Sequence, residues 1–120
     1  MHILFTRPLE DSKEIISRFQ NLGHKVSHLP VLNIIEKKHE EINFSNYSAV
    51  IFTSANSIKY LKSNNIDKNI ICFCVGEATE RKASSFGFQN IFSAEGNIHN
   101  LKEIILRNFS PKNGNLLYVS

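Results

Sequence analysis

Two stretches of the chain decide its fold: AVIFTSAN at residues 49–56 and IICFCVGEAT at residues 70–79. In each stretch a short apolar run is followed at once by small polar residues and then by a segment with helical spacing. The run at residues 70–75 is almost continuously apolar, which is typical of strands covered on both faces of a sheet. The two stretches therefore predict buried parallel strands, with polar groups gathered where each strand ends.

The same alternation of strand and helix extends over the whole chain. Helices are predicted after Arg7-Pro8, over residues 77–86 and from Asn97, and the first two end at glycines that suit a left-handed cap. Further strands are predicted at residues 3–6, 25–35, 90–93 and 116–119, and Pro30 marks the second of these as an edge strand. We expect an α/β fold with a parallel sheet flanked by helices, in the flavodoxin-like or doubly wound manner.

Composition and charge exclude several classes of protein. The chain has 120 residues, of which 42% are hydrophobic and 21% charged, so it can form a core and is not intrinsically disordered. The net charge is +3, and because Lys and Arg are dispersed among acids we expect no nucleic-acid partner. No apolar run approaches the length of a membrane span and no secretory signal begins the chain, which predicts a cytoplasmic protein without membrane contact.

Polar residues follow three of the predicted strands, at Thr6-Arg7-Pro8, at residues 53–56 and at residues 76–79. Ligands of parallel sheets bind beyond the carboxyl ends of the strands, and helix N-termini there attract anions, so these groups predict recognition of carboxylates or phosphates. The alternative is structural. Ser54, Asn56 and Thr79 would cap helices, and Arg7 would form a surface salt bridge with a nearby acid such as Glu10 or Asp11.

Other kinds of site lack their sequence signatures. The five histidines show no metal-ligand spacing, and Cys72 and Cys74 lie in mid-strand on one face, where structural thiols are expected rather than a disulfide or a metal site. Neither a dinucleotide fingerprint nor a phosphate-binding loop is present, and no nucleophile elbow occurs. Glu77 would repel an anion, but its spacing from Arg81 favours an ion pair.

Taken together, five ordered motifs resemble the N-terminal half of the uroporphyrinogen-III synthase family of tetrapyrrole biosynthesis. They are FTRP at residues 5–8, Gly23 with LPVLNI at residues 29–34, YSAVIFTSANSI at residues 47–58, VGEAT at residues 75–79 and LLYVS at residues 116–120. The F-T-S-x-N core of the third is the most diagnostic. Each motif is weak by itself, but their order and spacing cover nearly the whole chain.

The resemblance implies a division into parts of two α/β domains. Residues 1–35 would be a strand-helix-strand fragment of domain one, residues 36–46 a linker, and residues 47–120 most of domain two. The length alone favours one domain, whereas the resemblance implies parts of two. These expectations agree if the chain is truncated or comes from a partial gene. A separate C-terminal half would then be a partner.

The implied reaction is cyclisation of hydroxymethylbilane to uroporphyrinogen III with inversion of the last pyrrole ring, without a cofactor or metal. The resemblance places the substrate-binding positions at Arg7 and Pro8 in domain one and at Thr53, Ser54, Asn56, Gly76 and Thr79 in domain two. A tyrosine that assists dehydration in the family lies later in its sequence, and Tyr47, Tyr60 and Tyr118 do not match its place. Catalytic residues are therefore not assigned, and we expect the 120-residue chain to have little or no synthase activity.

Two alternatives from other functional classes remain open. A non-catalytic flavodoxin-like module that binds a small anion would carry the same polar groups at its strand ends. A protein that docks to a partner half would expose apolar sheet edges. Saturable binding of a uroporphyrinogen without turnover would support a synthase half that keeps its substrate site. Association with a separate C-terminal half would support the docking alternative.

Overall fold

The computed structural model describes residues 1–62 and 65–120, which divide into two compact units, Met1–Lys38 and His39–Ser120. The division falls inside the segment at residues 36–46 for which a linker is predicted. Phe44 and Ile42 nevertheless pack with the core of the second unit. No helix among the described residues has the length and apolar character needed to span a membrane.

The first unit is a single strand-helix-strand motif. Strand β1 (His2–Phe5) and strand β2 (Lys25–His28) pair in parallel, and helix α1 (Leu9–Asn21) connects them. Phe5 on β1 packs against Phe19 on α1, with ring centroids 6.0 Å apart. Gly23 takes a φ of +82° just after the helix, as the sequence predicts for a left-handed cap.

The regular part of β2 is shorter than the predicted strand at residues 25–35. Backbone bonds to the end of β1 continue as far as Leu29 and Val31, whose N–H groups donate to the carbonyls of Phe5 and Thr6 at 2.8 and 3.0 Å. Pro30 stands between them and has no N–H to donate, so the ladder loses its regularity there.

The second unit is a doubly wound sheet. Its elements follow the order β3 (Ala49–Phe52), α2 (Ala55–Lys59), β4 (Ile71–Val75), α3 (Glu77–Phe86), β5 (Asn90–Ala94), α4 (Ile98–Asn108) and β6 (Leu116–Val119). Short 3-10 helices lie at Phe44–Asn46 and Pro111–Asn113. The described strands are all parallel and lie in the order β5-β4-β3-β6.

Alternate residues of the central strands enter two cores, one on each face of the sheet. Val50 and Phe52 join the core that includes Ile58 of α2 and Ala83 of α3, whereas Ile51 joins the core that includes Leu101 of α4. All four residues of β3 are buried, which is why this strand is apolar at every position. The structure confirms the predicted α/β class, with parallel sheets flanked by helices.

Candidate functional site

The carboxyl ends of β3 and β4 lie side by side at one edge of the second unit. Phe52 and Cys74 are partners in the parallel register, so Thr53-Ser54 and Val75-Gly76 leave the sheet next to each other. Helices α2 and α3, which begin directly after these residues, pack against one another. The structure therefore brings the five positions predicted in this unit to one edge, which we call the carboxyl edge: Thr53, Ser54, Asn56, Gly76 and Thr79.

Ser54 caps helix α2. Its backbone is extended, with φ −145° and ψ 139°, and its hydroxyl accepts a hydrogen bond from the Asn56 N–H at 3.2 Å. The Ser57 hydroxyl donates to the Ser54 carbonyl at 2.6 Å. The capping alternative thus describes the Ser54 side chain in this structure, although its hydroxyl keeps a proton and a second lone pair for another partner.

Helix α3 begins without a side-chain cap. Gly76 occupies the cap position with φ 82° and ψ 150°, and its N–H donates to the Ala94 carbonyl of β5 at 3.0 Å. The Glu80 N–H donates to the Gly76 carbonyl at 3.1 Å, so the N–H groups of residues 77–79 precede the hydrogen-bonded turns. A Cβ built on Gly76 would meet no described atom within 4 Å, so no packed side chain covers Gly76 itself.

Thr79 lies in the first turn of α3 with its side chain turned into the protein, and only 4% of its surface is exposed. Because this value covers the whole residue, the hydroxyl and the backbone N–H of Thr79 are both shielded from solvent. From the sequence, the Thr79 hydroxyl was expected either to cap the helix or to contact a ligand. The sequence does not reveal which way this side chain turns.

Glu77 and Arg81 form the ion pair that their spacing predicts, with 3.5 Å between Oε1 and the guanidinium nitrogen. The Glu77 side chain is 80% exposed, so the carboxylate points to solvent. Because negative charge near a helix N-terminus stabilises the helix, Glu77 also competes with any anion that approaches α3.

Thr53 has a neighbour that the sequence did not identify. Its Oγ1 lies 3.1 Å from the hydroxyl of Tyr118 on β6, the strand on the other side of β3. Tyr118 did not match the family tyrosine, and the position of β6 beside β3 depends on a crossover that local patterns do not determine. The one sequence signal was a polar aromatic residue in an otherwise aliphatic strand, LLYV.

Arg7 and Pro8 belong to the first unit, where they connect β1 to α1. Pro8 is the residue that precedes the helix, and the Arg7 guanidinium lies 3.8 Å from the Asp11 carboxylate, as the salt-bridge alternative predicts. The Arg7 side chain is 72% exposed, so this ion pair is weak and the guanidinium can exchange partners. His28 Nε2 is 2.8 Å from the Arg7 carbonyl oxygen and fixes the backbone there.

The two cysteines are buried inside strand β4. Cys72 and Cys74 are free thiols with 3.6 Å between their sulfur atoms, and neither is exposed. The hydrogen bond to Cys74, together with burial, raises the pKa of the Cys72 thiol. In residues 1–62 and 65–120 no three His, Cys, Asp or Glu side chains are grouped as metal ligands.

A cavity of about 470 Å³ lies at the opposite, amino edge of the sheet, beside Tyr47, Ser48, Asp67 and Asn69. The described residues that line it include no Lys, Arg or His. Because the one charged residue among those described in its lining is an aspartate, this cavity is poorly suited to a ligand that carries several carboxylates.

Comparison with known proteins identifies the family of the chain. A family model described as uroporphyrinogen-III synthase HemD matches residues 13–120. The chain belongs to the uroporphyrinogen-III synthase HemD family. No curated protein matches the chain. Membership in this family connects the chain with tetrapyrrole biosynthesis and confirms the resemblance carried by the motifs.

The match to the uroporphyrinogen-III synthase family includes the carboxyl edge but begins after Arg7 and Pro8. The five predicted positions of the second unit therefore lie inside the matched region, and the two of the first unit lie outside it. For Arg7 and Pro8 the support is the FTRP motif alone.

Proposed function

We propose that the carboxyl edge of the second unit binds the acetate and propionate arms of a tetrapyrrole, as part of a uroporphyrinogen-III synthase that cyclises hydroxymethylbilane and inverts its last ring. The observation that carries this proposal is the start of α3. There Gly76 occupies the cap position without a side-chain cap, so no capping side chain accepts from the N–H groups at the start of the helix.

Backbone donors suit this reaction because it needs selection between two ring closures more than it needs a nucleophile. Hydroxymethylbilane closes by itself to the uninverted isomer, so the enzyme must bind the inverting transition state better than the direct one. Fixed N–H groups and hydroxyls hold the carboxylate arms without reorganising, and the position of the arms determines which carbon is attacked. Ser54 and Asn56 would complete the donor set beside α3, and Thr53 lies next to them.

Arg7 supplies the one exposed guanidinium among the proposed binding residues, and Pro8 fixes the backbone that follows it. We assign them a second contact with the carboxylate arms. Release from Asp11 costs little because the Arg7 side chain is largely exposed and the two groups are 3.8 Å apart.

Binding of uroporphyrinogen III under argon tests the proposal, with equilibrium dialysis followed by oxidation to the fluorescent porphyrin. We expect saturable binding that weakens as the salt concentration rises. Glu77→Gln should tighten binding roughly two- to fivefold, because the variant removes a negative charge from the helix N-terminus. Glu103→Gln on the exposed side of α4 is the matched control and should leave binding unchanged. Absence of saturable binding would contradict the proposal.

Turnover is a separate question, and we expect little of it from these 120 residues. Hydroxymethylbilane generated in the assay should give mainly the uninverted uroporphyrinogen, and chromatography of the oxidised products separates the two isomers. An excess of isomer III over the protein-free reaction would show that residues 1–120 suffice for catalysis and would contradict this expectation.

A specific observation also favours the docking alternative. Apolar side chains after β2 are largely exposed, with values of 59% at Leu29, 65% at Val31, 64% at Leu32 and 75% at Ile35. We propose that this segment packs against a C-terminal half of the synthase. Light scattering of the chain mixed with a separately produced C-terminal half should show a one-to-one complex, and Leu32→Asp should weaken that complex. No change in mass on mixing would contradict the docking proposal.

A further inference from the structure

The strand order creates a switch point beside Thr53. From β3 the chain moves to β4 and β5 in one direction, and it then crosses to the other side of β3 to form β6. In open α/β sheets ligands bind outside the carboxyl ends of the strands, at the place where the strand order reverses. In the second unit this place lies between β3 and β6.

Tyr118 reaches this switch point from β6. Its Cα is in register with Ile51, yet its hydroxyl lies 3.1 Å from Oγ1 of Thr53, two residues further along β3. Two strand residues span about 6.6 Å, so the ring leans along the strand toward the carboxyl edge. The phenol oxygen is therefore at the edge, although the backbone of Tyr118 is one step inside it.

The surroundings of Tyr118 are open on this side. Leu116, on the same face of β6, packs with the core formed by α4, whereas Tyr118 is 57% exposed. Helix α4 packs against β4 and β5. A large aromatic side chain thus keeps an exposed surface beside the polar groups that follow β3.

We propose that the Tyr118 hydroxyl donates a hydrogen bond to a carboxylate arm of the tetrapyrrole, and that Thr53 positions it by donating its own hydroxyl proton to the phenol oxygen. Thr53 is then a positioning residue that acts through Tyr118. A hydroxyl that accepts one hydrogen bond becomes a better donor in the next, so the pair favours an anionic acceptor. This inference rests on the proposed function.

Uroporphyrinogen III binding by four proteins tests the inference: wild type, Tyr118→Phe, Thr53→Val and the double variant. We expect Tyr118→Phe to raise Kd about tenfold, since it removes a hydrogen bond to a charged acceptor and leaves the ring in place. Thr53→Val should raise Kd about threefold in the wild type and leave Kd unchanged in the Tyr118→Phe background. Tyr47→Phe, which alters a tyrosine beside the cavity at the amino edge, should bind like the wild type.

A spectroscopic signature distinguishes contact from a structural role. The chain has three tyrosines, so Tyr118 can be assigned in protein labelled with ¹³C at the ring carbon that carries the hydroxyl. Uroporphyrinogen III should shift the Tyr118 resonance and leave that of Tyr47 in place.

Three results would overturn the inference: an unchanged Kd for Tyr118→Phe, an equal effect of Thr53→Val in both backgrounds, or an unshifted Tyr118 resonance at saturation. If the wild type itself does not bind uroporphyrinogen III, the proposed function fails and the inference fails with it. If the wild type binds and Tyr118→Phe binds equally well, only the inference fails.

Discussion

Gly76 is the backbone position on which the carboxyl edge depends most, and Gly76→Ala perturbs it directly. Its φ of 82° with ψ of 150° lies in a region that is essentially restricted to glycine. The backbone cannot relax freely, because the Gly76 N–H is bonded to the Ala94 carbonyl and the Gly76 carbonyl accepts from the Glu80 N–H. An L side chain must therefore strain this conformation or break one of the two bonds.

The magnitude follows from the conformation alone, because an added Cβ would meet no described atom within 4 Å. A residue held in such a region costs about 1–3 kcal/mol, and losing one backbone hydrogen bond costs about 1 kcal/mol. We expect Gly76→Ala to lower the free energy of unfolding by about 2 kcal/mol. With a urea m-value of about 1.5 kcal/mol/M, the unfolding midpoint falls by roughly 1.3 M.

Urea unfolding monitored by far-UV circular dichroism measures this loss, and a pair of asparagine variants sharpens the test. Gly87 caps the end of α3 in the left-handed helical region, with φ 112° and ψ 5°, and asparagine tolerates that region. We therefore expect Gly87→Asn to lose clearly less stability than Gly76→Asn. A midpoint for Gly76→Ala within about 0.3 M of the wild type, or a larger loss at Gly87, would show that the backbone at Gly76 is not restricted to glycine.

Three further predictions concern the rest of the second unit. Asn97→Ala should lose about 1–2 kcal/mol of stability, because Asn97 Oδ1 accepts from the His99 and Asn100 N–H groups at 2.9 and 3.1 Å; a loss below about 0.5 kcal/mol in urea unfolding would contradict this role. The Lys68 Nζ lies 3.6 Å from the centre of the Phe86 ring, and burial lowers the pKa of this amine. As the pH approaches 10.5, the folded state therefore binds fewer protons than the unfolded state. Wild-type stability relative to Lys68→Met should therefore rise with pH over that range, and a difference that stays flat with pH would show that burial does not act on this amine. Cys72 and Cys74 are both fully buried, so iodoacetamide should label them only when urea unfolds the chain, and stoichiometric labelling of the native protein would be the opposite result.

The elements that the sequence predicted best are those bounded by glycine or proline. Helix α3 was expected at residues 77–86 and begins and ends there, because Gly76 and Gly87 both take backbone conformations that other residues avoid. Strand β6 at residues 116–119 follows Pro111 and Gly114 in the same way. Local backbone preferences, which the sequence carries directly, determine these boundaries.

What the sequence did not reveal depends on contacts between distant segments. The crossover that places β6 beside β3 brings Tyr118 to Thr53, and no local pattern fixes that order. The burial of Thr79 likewise depends on how α3 packs against the sheet rather than on the residue type. The sequence could therefore name the positions at the carboxyl edge, but not which atom each of them presents there.

Amide chemical shifts of the ¹⁵N-labelled chain show where uroporphyrinogen III binds. We expect titration to shift the amides of residues 53–56 and 76–79 together, with the donors at the start of α3 changing most. The amino edge, at Phe44–Asn46 and near Asp67, should stay unchanged. Shifts confined to the amino edge, or no shifts at saturating ligand, would contradict the claim that the carboxyl edge binds the tetrapyrrole.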